Sequence, residues 1–114
     1  MAIYEQRLRG NFDEILSMLE EGVMQGNISA SLEDGSDYAT GDVRCAVRVF
    51  ERYSMIGGNR VSLNITLVGR GDELFLSAIA SGGSQAVLFK INTFGEEAFL
   101  DRVRHLMQDY LYPG

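Results

Sequence analysis

From residue 27 to residue 92 the hydrophobic residues recur at every second position, whereas before and after that stretch they recur every third or fourth. One element type cannot satisfy both periods, so the middle of the chain must form a sheet and its two ends helices. The clearest run is Asp42 to Tyr53, with Val43, Cys45, Val47 and Val49 pointing one way and Arg44, Ala46, Arg48, Phe50 and Arg52 the other. In the next run Val61, Leu63, Ile65 and Leu67 alternate with Ser62, Asn64 and Thr66. Ile28, Ala30 and Leu32 form an earlier strand, and Asp34-Gly35-Ser36-Asp37 reads as the turn that follows it. Gly57-Gly58-Asn59, Gly69-Arg70-Gly71-Asp72 and Ser81-Gly82-Gly83-Ser84 read as further turns, leaving Glu73 to Ser81 and Ala86 to Asn92 as strands. Strands joined by short Gly-rich links predict an antiparallel meander.

The flanks complete the architecture. Ala2 to Arg9 has strand length, with Tyr4, Gln6 and Leu8 on one face, and Gly10 breaks it. Asn11 followed by Glu14 is a capping-box pattern, and Phe12, Ile15, Leu16, Leu19 and Val23 form the stripe of a half-buried helix over Asn11 to Met24. Thr93 with Glu96 repeats the capping pattern, and Phe99, Leu100, Val103, Leu106, Met107 and Tyr110 give a second stripe before Pro113. The expected order is β-α-β(5)-α: an α+β two-layer sandwich of one antiparallel sheet, with both helices on the Val43/Cys45/Val47/Val49 face. This order is similar to the TATA-binding-protein-like fold and, more loosely, to the helix-grip fold, a likeness of architecture that carries no function.

Composition narrows the class. At 114 residues the chain fits one domain, 1–114, able to bury about two-thirds of its unfolded surface. A net charge of −6 argues against nucleic acid and anionic membrane as partners. The N-terminal ten residues lack a basic segment leading into an apolar one, and the run Leu74 to Ala80 is too short to span a bilayer. Cys45 is the single cysteine, which excludes an internal disulfide and suits a reducing interior, so the expected location is cytoplasmic.

Catalytic and metal-binding constellations are sparse. His105 is the single histidine, and Asp101 one turn before it is the kind of neighbour a surface helix supplies routinely. Cys45 in mid-strand on the apolar face reads as a buried, weakly nucleophilic core thiol. One Cys and one His cannot build a structural zinc site, and Asp34-Gly35-Ser36-Asp37 lacks the ligand spacing of a calcium loop. Gly57-Gly58-Asn59-Arg60 and Ser81-Gly82-Gly83-Ser84 match neither a P-loop nor a dinucleotide fingerprint, and hairpin turns account for them. No catalytic residue, metal or cofactor is therefore assigned.

Arginine carries the most information. Nine of the ten basic residues are Arg, and Arg44, Arg48 and Arg52 recur at every fourth position of one strand, hence on one face. Placed on the open side of the sheet, this row would hold planar bidentate donors beside Asn64 and Thr66, with Phe50 and Val68 adding apolar contact. Such a surface suits a small anionic ligand or a homodimer interface, since Arg and aromatics are enriched at interface cores. The plainer reading is a solvated face with its Arg side chains paired to Glu33 or Glu51. Phe75 and Ile79 would enlarge an apolar patch there, although both faces of their strand carry apolar residues. The leading expectation is thus a non-enzymatic binding or interaction module using Arg44, Arg48, Arg52, Phe50, Asn64 and Thr66. The rival is a small-molecule binding protein or enzyme with a cavity under the second helix, beside Ala78, Ala80, Gly82 and Gly83, with Tyr53, Tyr110 and Gln85 as polar liners.

The run from Gly41 to Ser54, with Ser81-Gly82-Gly83-Ser84-Gln85 and Asn92-Thr93-Phe94-Gly95-Glu96-Glu97, resembles a family of short uncharacterised bacterial proteins, mostly from Gram-positive bacteria, classed as a domain of unknown function. The resemblance covers nearly the whole chain. It implies no activity, ligand or catalytic residue.

Overall fold

The first helix starts where a cap is available. The Asn11 side-chain oxygen accepts the Glu14 N–H at 2.9 Å, and the Asn11 carbonyl accepts the Ile15 N–H at 3.0 Å. In the computed structural model, which describes residues 1–25, 30–53, 60–82 and 89–113, the elements follow in the order β1 (Ala2–Arg9), α1 (Phe12–Gln25), β2 (Ser31–Thr40), β3 (Val43–Tyr53), β4 (Arg60–Arg70), β5 (Glu73–Gly82) and α2 (Phe89–Leu106), with a short 3-10 turn at Gln108–Tyr110. The strands form one five-stranded antiparallel sheet in the order β1-β5-β4-β3-β2. Two of its hairpins turn at Gly-Asp pairs, where Gly41 (φ 57°) and Gly71 (φ 62°) adopt the left-handed conformation such tight turns require.

Both helices cover one side of this sheet, as the two-layer α+β reading expects. The core joins Phe12, Ile15, Leu19 and Val23 of α1 and Phe99, Leu100 and Val103 of α2 to Val61, Leu63, Ile65 and Leu67 of β4 and Leu74, Leu76, Ala78 and Ala80 of β5. Leu8 of β1 and Ala46 and Phe50 of β3 complete it. Alanine at positions 78 and 80 lets α2 lie close on β5, and Gly69 lets the Phe12 ring pack on β4, since a Cβ there would come within 2.7 Å of the ring.

Four local expectations are corrected. First, the faces of β3 are the reverse of those expected. Arg48 pairs with Ile65, Phe50 with Leu63 and Arg52 with Val61, so the Arg row shares the helix-covered face, and Val43, Cys45, Val47 and Val49 lie on the open one. Second, Asp34-Gly35-Ser36-Asp37 is not a turn but part of edge strand β2, with a register shift between Leu32 and Asp34 and the turn displaced to Gly41-Asp42. Similarly, Gly69 and Arg70 still belong to β4.

Third, residues 89–92 of the expected strand Ala86–Asn92 are helical, and residues 86–88 lie outside the described residues, so among the described residues four strands rather than five follow α1. A short apolar run reads equally well in either period when no neighbouring residue arbitrates. Fourth, Thr93 lies inside α2 rather than capping it. Glu96, buried, turns instead toward the end of β5 and accepts the Gly82 N–H at 2.6 Å. The expected strand start at Asn27–Ser29 and the expected turns at Gly57–Asn59 and Gly83–Ser84 lie outside the described residues.

Candidate functional site

The Arg row serves the fold. Arg44 forms an ion pair with Asp13 of α1 at 2.8 Å and lies 4.2 Å over the Phe12 ring. Arg48, only 12% exposed, bonds Glu20 of α1 at 2.7 Å and Asp37 of β2 at 2.9 Å. Arg52 lies 5.0 Å over the Phe99 ring of α2, and burial pushes its pKa down from the usual guanidinium value. The geometry follows from element rises: seven residues of α1 from Asp13 to Glu20 cover about 10 Å, and four residues of β3 from Arg44 to Arg48 cover about 13 Å. The row therefore laces β3, at the margin of the helix layer, to both helices, with apolar stems over the core and charged heads at its rim. The side-chain hydrogen bond from Arg44 holds the Asp13 carboxyl below its ordinary pKa, and those that Arg48 donates to Glu20 and Asp37 raise its own.

The six residues expected to form one surface are thus divided. Arg44, Arg48, Phe50 and Arg52 face the helices, Phe50 fully buried, whereas Asn64 and Thr66 lie on the open side, the Thr66 hydroxyl bonding the Asn64 side-chain oxygen at 3.3 Å. An anion binding along the row would have to displace Asp13, Glu20 and Asp37.

The residues of the rival site are also separated. Tyr53 pairs with Arg60 at one end of the sheet, and Tyr110, whose hydroxyl bonds Glu14 at 3.1 Å, packs beside Gly10 at the other. Ala78 and Ala80 are fully buried in the core, and Gly83 and Gln85 lie outside the described residues. His105 is exposed, and Asp101 bonds Arg104 at 2.6 Å instead of orienting it. Among the described residues, no group of three His, Cys, Asp or Glu could hold a metal ion. Also among them, no helix is long and apolar enough to cross a membrane.

The open face is the more distinctive surface. Strand pairing sets its side chains in transverse rows, one of which runs Tyr38, Cys45, Val68, Phe75, Arg7 across all five strands. On one side of it lies the row Thr40, Val43, Arg70, Glu73, Arg9; on the other, the row Ser36, Val47, Thr66, Ser77, Glu5, and beyond that Asp34, Val49, Asn64, Ile79, Ile3. Phe75 is 40% exposed, Ile79 36% and Ile3 54%, and Cys45 is half-buried rather than a core thiol. Of these, Cys45 is one that the periodicity assigns to the core, and Phe75 and Ile79 are two that it leaves undecided. The signal that could have found them is charge: Asp13 and Glu20 on α1 are spaced to meet Arg44 and Arg48, which brings that face of β3 under the helix.

The C-terminal residues border this surface. Leu111 makes a single antiparallel bridge with Leu8, the Tyr112 N–H bonds the Arg7 carbonyl at 3.0 Å, and the Tyr112 ring carries the guanidinium groups of Arg7 and Arg9 at 4.3 and 4.6 Å. Beside them a cleft of about 370 Å3 opens, floored by Val43, Val68 and Phe75.

No curated protein and no solved structure matches the chain. A family model does, over residues 1–111: the chain belongs to DUF6054, a family of unknown function.

Proposed function

We propose that the chain is a non-enzymatic interaction module whose working surface is the open face of the sheet, and that its partner there is a second copy, giving a homodimer. The carrying observation is the apolar band Tyr38, Cys45, Val68, Phe75, with Ile3 and Ile79 two rows further along the strands, on a sheet whose helices both lie on the opposite side. With strands about 4.8 Å apart and rows about 6.8 Å apart, the four rows over five strands cover about 650 Å2, near the roughly 800 Å2 each partner contributes to a standard interface. An exposed band of this kind is normally covered in a stable protein. A bacterial, cytoplasmic setting, in Gram-positive cells as the sequence resemblance implies, accords with the free thiol of Cys45 in the middle of the face. The net charge of −6 disfavours nucleic acid as a partner.

Light scattering on the wild type and on Val68→Asp tests this. The wild type is expected at twice the 12.6 kDa chain mass and the variant at the chain mass, with unchanged circular dichroism. A wild type that stays at the single-chain mass at every concentration would overturn the proposal.

A further inference from the structure

Resting on the homodimer reading, we infer that the two copies pack face to face with antiparallel strands, about a two-fold axis running across the sheet between the Phe75 row and the Ser77 row. The charges at the β1 edge of the open face are self-complementary in that arrangement. Glu5 and Arg7 are exposed, two residues apart on the same side of edge strand β1, and neither forms an ion pair among the described residues. The axis sets Arg7 opposite Glu5 of the partner subunit and Glu5 opposite Arg7 of the partner subunit, so one residue pair makes two reciprocal contacts, as an isologous interface demands. A two-fold along the Phe75 row would instead set Arg7 against its own copy, which like charge disfavours.

Shape agrees with charge. Ile3 and Ile79 are direct cross-strand neighbours and form an exposed apolar ridge at one end of the face. At the other end lies the cleft floored by Val43, Val68 and Phe75 and walled by Arg7, Arg70 and Tyr112. The same axis exchanges the row Thr40, Val43, Arg70, Glu73, Arg9 with the row Asp34, Val49, Asn64, Ile79, Ile3, so the partner's Ile79 comes over Glu73 at the edge of this cleft and the partner's Val49 over Val43 in its floor. On β3, Cys45 likewise comes opposite the partner's Val47, so the β3 side chains of the two copies meet apolar to apolar.

Charge exchange in the intact protein tests the orientation. Glu5→Arg and Arg7→Glu are each expected to weaken self-association by about tenfold or more, because each sets like charges in opposition twice. The double variant Glu5→Arg/Arg7→Glu is expected to return to within about threefold of the wild type, since the exchanged pair meets again across the axis. Sedimentation velocity over a concentration series reads all four proteins, with thermal melts confirming that each is folded. A wild-type dimer whose single variants associate normally, or whose double variant is not restored, overturns this orientation and leaves the homodimer standing. A monomeric wild type removes the homodimer itself.

Discussion

The two faces of the sheet use similar side chains to opposite ends. On the covered face, Val61, Leu63, Ile65 and Leu67 meet the helices, and Arg44 and Arg48 of β3 turn their charges onto α1 carboxylates at the rim. On the open face, Val43, Val47, Val49, Val68 and Phe75 stand half-covered by their strand neighbours alone. An Arg row can therefore belong to a buried layer and a Val row to an exposed one when the strand lies at the margin of that layer. There a long stem with a charged end seals the core better than a short branched side chain.

Substitutions can break the comparison directly. The largest difference is expected between two phenylalanines. Phe50→Ala, on the covered face, should cost about 3–5 kcal/mol in urea unfolding, whereas Phe75→Ala should change the stability of the monomer by about 1 kcal/mol or less. Equal losses would mean that the faces are not distinct. Gly69→Ala comes next: the added Cβ meets the Phe12 ring and the Leu74 side chain, and an overpacking loss of about 1–3 kcal/mol is expected from the shift of α1. A neutral result would show that α1 is not seated on β4.

The Arg row sharpens the contrast within one face. Arg48→Met leaves Glu20 and Asp37 without their shared partner and should cost about 1–2 kcal/mol. Arg44→Met, at a site 46% exposed, should cost clearly less than Arg48→Met in the same unfolding measurement. The smallest effect is that of acid on the Asp13–Arg44 pair. Because Arg44 lowers the Asp13 pKa, the pair stabilises the fold above the unfolded-state value, and the contribution fades as pH falls through the native one. Stability curves of the wild type and Asp13→Asn should therefore differ slightly at neutral pH and converge below about pH 4. Curves that stay parallel into acid would deny the pair its role.

Much of the fold was legible because periodicity is a local property. β1, α1, β3, β4 and β5 lie within a residue or two of where alternation, the Asn11 cap and the glycine turns place them. Register is not local, and it determines which side of β3 is covered. Val43 pairs with Arg70, so even positions of one strand stand beside odd positions of the next, and the aliphatic phases of β3 and β4 fall on opposite faces. Hydrophobicity alone matched those two phases and put the Arg row outside. β2 was hidden for a different reason. An edge strand exposed on both sides has no buried alternation to display, and Asp34, Gly35 and Asp37 protect it from further pairing. The candidate site inherited the error in register: Asn64 and Thr66 were placed on the right face, with the wrong neighbours.

Cys45 reports on the central claim without any substitution, because it lies mid-sheet on the open face beside Val68. The measurement is its reaction rate with a soluble thiol reagent over a range of protein concentrations. In dilute solution the thiol is expected to react rapidly without unfolding of the chain, and with rising concentration it should become protected as a second copy covers the face. A rate that tracks global unfolding would place Cys45 under the helices, and a fast rate independent of concentration would leave the open face uncovered; either would contradict the account.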